Sequence, residues 1–427
     1  MRRTPSSPQA ASAESSRSSF EAEAEAVVAS LRGAFAEVIE TALGRVATAK
    51  EVADGFGVHR KLGWQIARVA YDDDPFHAAR FVPTRRAIEP WLDAARSRRV
   101  PDEVLARVDR AMESFERLLH AHAGDRESLE MMLESCAASP DAEADLRWRG
   151  EAFRGQAYIL GVRVKTLLSM AVLAPSADRS GWFDMARVNA HLGFVRTRSN
   201  VRWVIGQSVV MAGPDGSVMP STRQPLAPDD AARHGGVPLI ERFCSAPLPP
   251  IVRRPGPEGL VEDELQAGPI GARGEVNLVT GEIMRSVGPV WRSREGEDAL
   301  FGTGVRTPAE MLLCDLFVHR DLFPGVERTI RVYSELFSPV AHDERDRLAV
   351  SDQVHSLGRG LMRLSAPEAP RYAMLAAYVF ERCGWEPTAF DLYRIRMAYP
   401  PLPASVMFHH PLPPAPAGVN ESTPGGA

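Results

Sequence analysis

The first periodic feature of the chain runs from Glu21 to Val46. There Val28, Leu31, Phe35, Val38, Ile39, Leu43 and Val46 recur at three- and four-residue steps, which predicts an amphipathic helix. Thr48-Ala-Lys-Glu51 has the spacing of a capping box, so a second helix is expected to begin at once. Asp74-Pro75 marks another start, with Asp as cap and Pro in the first turn, and Thr84 marks a further one. Between Asp102 and His120 an otherwise acidic segment carries a stripe of Val104, Leu105, Val108, Met112, Phe115, Leu118 and Leu119. These signals predict helices almost throughout, up to about residue 195.

From Val201 the pattern changes. Val201 to Met211 is rich in β-branched residues and ends at Gly213-Pro214, which favours a strand. Residues 214–269 hold eleven prolines, a density that argues against regular helix or central strand. Glu275 to Val287 reads as a hairpin around Thr280-Gly281, and Thr329 to Phe337 and Phe390 to Tyr399 read as strands. Leu348, Val354, Leu357, Leu361 and Leu364 have the spacing of one helix. Tyr372 to Cys383, stopped by Gly384, has that of another. The expectation is an α+β multidomain chain with a mostly helical N-terminal half and a mixed α/β C-terminal half. Its parts would be a disordered tail over 1–20, a helical domain over 21–125, a helical extension over 126–195, a strand region over 196–213, a Pro-rich connector over 214–269, an α+β domain over 270–410 and a second disordered tail over 411–427.

Composition narrows the function classes. With 427 residues, 44% of them hydrophobic and 25% charged, the chain is neither wholly disordered nor fibrous. A net charge of −5 excludes a general polycation, so any contact with nucleic acid must be local. Of 50 basic residues only Lys50, Lys61 and Lys165 are lysines, a skew that fits a GC-rich bacterial genome. Cys136, Cys244, Cys314 and Cys383 form no C-x-x-C pair, so no zinc site and no disulfide scaffold is expected; reduced thiols fit a cytoplasmic location. The longest apolar stretch, Ala157 to Ala174, is interrupted by Arg163 and Lys165, and the N-terminus lacks an apolar signal segment, so no membrane association is expected.

Local basicity is found at residues 48–70. A capped helix carrying Val52, Ala53 and Phe56 reaches Gly57, then Val58, then a second periodic run. On a helical wheel Arg60, Lys61, Trp64, Gln65 and Arg68 occupy one arc, and Leu62, Ile66, Val69 and Ala70 the other. No Asp or Glu occurs from Gly55 through Tyr71, so the polar arc carries three positive charges in a protein whose balance is negative. Arg and Gln on such an arc suit phosphates and major-groove base edges. Ala53, Gly57 and Val58 at this spacing resemble the Cro/repressor type of helix-turn-helix, in which a small residue, a turn glycine and the apolar residue after it hold the turn. The resemblance implies DNA contacts from His59, Arg60, Lys61, Trp64 and Gln65, with Arg68 beside them. It departs from the family at Gly63, where a branched apolar residue is usual. Gly55 and Gly63 should each cost about 1 kcal/mol of helix stability relative to alanine. Trp64 in the middle of the face would equally suit a protein partner.

Other constellations carry less. Val318-His-Arg-Asp-Leu322 reproduces the protein-kinase catalytic-loop tetrapeptide, but Val326 stands where the metal-binding Asn belongs, and neither D-F-G nor a Gly-rich loop is present. His409 and His410 are adjacent and would point to opposite faces of a strand, which is poor ligand geometry. No catalytic residue, metal or cofactor is therefore expected. The sequence favours a sequence-specific DNA-binding protein, a bacterial transcriptional regulator with a C-terminal effector or interaction domain. Double-stranded DNA would be its partner, and a homodimer would match paired half-sites through the Val28–Val46 or Val104–Leu119 stripe unless those stripes are core. The alternatives are a protein-interaction module built on the same helices and an enzyme housed in residues 200–410.

Overall fold

A computed structural model describes residues 8–72, 74–136, 142–209, 223–255, 260–293, 295–337 and 342–415. The chain divides into two compact units, Met1–Asp141 and Ala142–Ala427. The first is helical and the second is β-rich with three sheets, so the protein is an α+β multidomain chain. Among the described residues no helix is long and apolar enough to cross a membrane.

The first unit contains α1 (Pro8–Leu43), α2 (Ala49–Phe56), α3 (Arg60–Tyr71), α4 (Pro75–Ala79), α5 (Arg85–Ser97), α6 (Asp102–Leu118), a π-helical turn (Leu119–Ala123) and α7 (Arg126–Cys136). The start signals lie where the sequence puts them. Asp74 Oδ1 accepts from the Phe76 and His77 amides at 2.8 and 3.2 Å, and Thr84 Oγ1 accepts from the Ala87 amide at 3.3 Å. Helix α1 begins at Pro8, inside the span 1–20 expected as a tail, because Ala10, Ala11, Ala13 and Glu14 are strong helix formers; residues 1–7 lie outside the described residues. Both apolar stripes are core. Val28, Leu31, Phe35, Val38 and Ile39 are fully buried with Val104, Val108, Met112 and Phe115 around Trp91, so neither stripe is available as a dimer interface; only Val46, past the end of α1, is exposed.

The second unit opens with α8 (Ala142–Leu160) and continues through β1 (Val162–Pro175), β2 (Trp182–Arg196), β3 (Trp203–Val209), β4 (Arg223–Pro225), α9 (Pro228–Arg233), β5 (Ile251–Pro255), β6 (Leu260–Leu265), β7 (Val276–Pro289), β8 (Asp298–Val305), β9 (Ala309–His319), β10 (Thr329–Ser334), β11 (Arg347–Leu348), β12 (Val354–Arg359), α10 (Tyr372–Cys383), β13 (Phe390–Ala398) and β14 (Ala404–Pro411). The main sheet has the order β12-β13-β9-β1-β2-β7-β4, with only β1 and β9 parallel. One face packs on α10 through Met170, Val172, Ala186 and Val188 against Leu375, Ala376, Val379 and Phe380. The other face meets the sheet β11-β10-β14-β8, where Leu173 and Leu316 join Phe323, Val332, Val406 and Phe408. A third sheet has the order β3-β6-β5. A buried ion pair ties α10 to the main sheet: Arg394 on β13 donates twice to Asp315 on β9, each at 2.8 Å, and the Tyr372 hydroxyl donates to the same carboxylate at 2.8 Å.

Four expectations are corrected. Residues 162–195, expected helical, lie in the long hairpin β1–β2; β1 is apolar and covered on both faces through its central residues and so lacks the alternation that distinguishes strand from helix, whereas β2 carries it, Ala186, Val188 and Ala190 alternating with Arg187, Asn189 and His191. The Pro-rich connector is folded in part, supplying β4, α9, β5 and β6, with its described prolines at strand ends, in loops and in the first turn of α9; residues 210–222 and 256–259 lie outside the described residues. Thr280-Gly281 is not a turn. Strand β7 runs straight through it, and a Cβ at Gly281 would stand 2.7 Å from Ile240 Cδ1 and 2.9 Å from Leu226 Cδ1, so the glycine leaves room for the tips of these two side chains. Leu348 to Leu364 is not a helix: Leu348 and Val354 lie on β11 and β12, and Gly358 and Gly360 adopt φ of 81° and 72°. Helix α10 ends at Gly384, φ 67°, as its sequence predicts. Residues 416–427 of the expected C-terminal tail lie outside the described residues.

Candidate nucleic-acid interface

The pair α2–α3 is built by local chemistry at three points. At its start Thr48 and Glu51 form a reciprocal capping box: Thr48 Oγ1 accepts the Glu51 amide at 3.4 Å, and Glu51 Oε2 accepts the Thr48 amide at 2.8 Å. The Arg45 guanidinium, with the Thr48 donors, holds the Glu51 carboxyl down at about 2. At the turn Gly57 sits in the left-handed region, φ 64°, its amide reaching Asp54 O at 3.4 Å while the Val58 amide reaches Ala53 O at 3.0 Å. These two bonds make a Schellman motif, which satisfies the last carbonyls of α2 and turns the chain. At the start of α3 His59 Nδ1 accepts the Lys61 amide at 3.2 Å, so His59 is the helix cap.

Close packing locks α3 onto α2. Val52, Ala53 and Phe56 are buried on α2, and Gly63, Ile66, Ala67, Val69 and Ala70 on α3. A Cβ on Gly63 would lie 2.6 Å from Ala53 Cβ and 2.8 Å from Ala53 Cα and N. The two helices therefore touch backbone to backbone at Ala53 and Gly63, and the glycine that departs from the family pattern is required by the contact. Gly55 differs in kind, since its Cβ would meet only the tip of Leu43, at 2.9 Å.

The predicted polar arc is the exposed one. His59, Arg60, Lys61, Trp64 and Arg68 are exposed, and Gln65 is half-buried. Among the described residues neither Arg60 nor Lys61 has a carboxylate within ion-pair distance. Arg68 does: its guanidinium is 3.3 Å from Asp72, one turn on, so among the described residues the arc holds two uncompensated charges rather than three. Trp64 is 43% exposed, and its ring packs edge-on against Phe81 at 4.8 Å, with the Arg68 guanidinium 5.9 Å from the Trp64 centroid and 5.6 Å from that of Phe81. Phe81 lies outside both helices and has no periodic neighbours, so the wheel had no means of showing this contact.

No protein-family model, curated protein or solved structure matches this chain.

The chemistry available at α3 is thus that of its own side chains: two cations at the first turn that are unpaired among the described residues, a Gln amide one turn further, and a part-covered indole. The arginines that follow are mostly engaged. Arg85 lies between Glu113 and Glu116 at 3.6 and 3.5 Å, Arg96 pairs with Asp93 at 2.6 Å, and Arg80 and Arg98 stand over Phe81 and Phe56. Arg86 and Arg99 are exposed. In the second unit His319 ends β9, and its Nδ1 accepts the Asp321 amide at 3.3 Å, so the kinase-like tetrapeptide is a strand-end turn. His410 is fully buried against Phe323, while His409 faces Thr329 and Asp298. Among the described residues no three His, Cys, Asp or Glu side chains are grouped closely enough to hold a metal ion.

Proposed function

We propose that this chain is a bacterial, cytoplasmic, sequence-specific DNA-binding protein that regulates transcription, with α2 and α3 acting as a Cro/repressor-like helix-turn-helix. The observation that carries the reading is the outer face of α3: Arg60 and Lys61 stand exposed and unpaired among the described residues, on a helix with no acidic residue of its own. Exposed cations at the first turn of a second helix attract phosphates and reach base edges in the major groove, and Gln65 follows one turn later on the same side. A homodimer fits paired half-sites, through a surface other than the two stripes buried in the first unit.

The test is a binding isotherm of the full chain on duplex DNA, first on a mixed-sequence pool and then on the selected site, across salt concentrations. Lys61→Ala should weaken binding to every sequence and reduce the salt slope by about 0.9. Arg60→Ala or Gln65→Ala should cost about 1–3 kcal/mol on the selected site and little on random DNA. Absence of salt-dependent DNA binding, together with a protein contact abolished by Trp64→Ala, would replace this reading by the protein-docking one that the part-exposed Trp64–Phe81 pair favours.

A further inference from the structure

Strand β2 sits near the middle of the main sheet, with both faces covered, yet its two faces differ in kind. Ala186, Val188 and Ala190 point to the α10 side and are apolar throughout. Arg187, Asn189 and His191 alternate with them and point the other way. The register continues this polar row across neighbouring strands, with Asn189 opposite Ser169 on β1 and Thr280 on β7, and Arg187 opposite Glu282. These side chains floor a cavity of about 530 Å³, roofed by β8 and β14 and flanked by β3. Five arginines and three carboxylates line it.

The charges do not cancel evenly. Arg306 is held by Glu335 at 3.1 Å and by Gln207 at 2.9 Å. Arg253 is held by both oxygens of Asp263, at 2.7 and 2.9 Å, and Arg202 by Glu262 and Glu264. Glu282, the cross-strand neighbour of Arg187, has Arg223 at 3.6 Å. Among the described residues Arg187 is left without a carboxylate in ion-pair range. Its guanidinium makes one long hydrogen bond, to Gly302 O at 3.4 Å, and its Nε has no partner among the described residues. Burial and the neighbouring Arg223 and Arg306 charges lower its hold on the proton, the mark of a cation kept among cations. Packing gives no reason for this, because an apolar side chain of similar size would avoid the cost of a half-buried charge with no carboxylate beside it among the described residues.

We propose that this cavity binds a small polar anion, the phosphate or carboxylate group of a metabolite, with the oxyanion on the Arg187 guanidinium. A planar guanidinium with free N–H groups is suited to two-pronged contact with such a group. Ser169, Asn189, Thr280 and Gln207 offer donors and acceptors for the hydroxyls of the same molecule, and Trp203 and Met407 give it an apolar wall. The volume lies within the range of small-molecule sites.

The test uses the full chain in isothermal titration and thermal unfolding with inorganic phosphate, glucose 6-phosphate and citrate, with chloride at equal ionic strength as reference. At about one hundred times the dissociation constant the bound class should raise the midpoint of unfolding by about 5 °C. Response to phosphate and its ester assigns a phosphate ligand, and response to citrate alone a carboxylate. Arg187→Gln should abolish the heat and the shift while leaving the anion-free protein as stable as the parent or more so, and Arg187→Lys should retain part of both. Should Arg187→Gln not fold, the Arg187 Nε–H resonance of the parent, followed during the same titrations, decides: it must shift with the anion. No heat from any of the three anions, or an equal midpoint rise in Arg187→Gln, would overturn the proposal. None of these readouts involves DNA, so the outcome is separate from that of the helix-turn-helix reading.

Discussion

Replacing Gly63 with alanine sets two effects of known size against each other. In an isolated helix the change gains about 1 kcal/mol, because alanine loses less backbone entropy and glycine is the poorer helix former. In this protein the new methyl would lie 2.6 Å from Ala53 Cβ and 2.8 Å from Ala53 Cα and N. Carbon atoms at rest stand about 3.5–4.0 Å apart, so α3 must move off α2 by about an ångström. Overpacking of this kind costs about 1–3 kcal/mol, and two of the opposing atoms are backbone that cannot rotate away. The cost belongs in the upper part of that range, leaving a net loss of about 1–2 kcal/mol. Gly33 provides the control: it lies exposed in α1, with nothing within 4 Å of its Cβ position. Gly33→Ala should therefore show the propensity gain alone, about 1 kcal/mol. Urea unfolding of the full chain followed by circular dichroism should give midpoints that move in opposite directions. Adding Ala53→Gly to Gly63→Ala should recover part of the loss, since it removes the nearest of the three opposing atoms. A Gly63→Ala protein stabilised to the same degree as Gly33→Ala would refute the backbone contact between α2 and α3.

Three further outcomes are expected. Asp315→Ala would strand the Arg394 guanidinium and the Tyr372 hydroxyl in the interior and should cost about 3–5 kcal/mol in denaturant unfolding; a loss below about 1 kcal/mol would contradict the buried pairing. His191 and His410 are both held down to about 4 by burial, so the unfolded chain takes up their protons first as the pH falls. Their contribution is complete above pH 6.5 and is lost toward pH 4, by about 3 kcal/mol each, and His191→Gln and His410→Gln should each flatten the stability curve in that window; curves parallel to the parent's would exclude it. Glu51, at about 2 beside Arg45 and Thr48, contributes stability above pH 4.5 that disappears as the pH falls through 2, and its side-chain carbon resonance should titrate near 2 rather than 4.5.

The helical unit was largely legible in the sequence because its information is local. Thr48, Asp74 and Thr84 cap the helices they precede, and Gly57 and Gly384 end theirs with amide-to-carbonyl bonds made within the same few residues. The exposed face of α3 followed from its 3.6-residue period, since one side of the helix is core and the other solvent. That signal disappears where both faces are covered. Strand β1 is apolar and enclosed on each side, so its central residues carry no alternation to separate strand from helix; β2 does alternate, Ala186, Val188 and Ala190 against Arg187, Asn189 and His191, but β1 and β2 also pair with β9 and β7, far along the chain. The meaning of a glycine was equally undetermined. Thr280-Gly281 has the composition of a turn and Gly63 that of a weak point in a helix, yet Gly63 is where the backbone of α2 comes close and Gly281 is where the Ile240 and Leu226 side chains reach in. The partners of Arg68 and Trp64, and the isolation of Arg187, likewise depend on neighbours brought in from other elements. By itself the sequence determined the caps, the turn of α2–α3 and the basic face, which depend on residues a few positions apart. Tertiary structure alone decided the central sheet, the close approach of α2 and α3 and the cavity, because each arises from contacts between segments whose proximity no local pattern encodes.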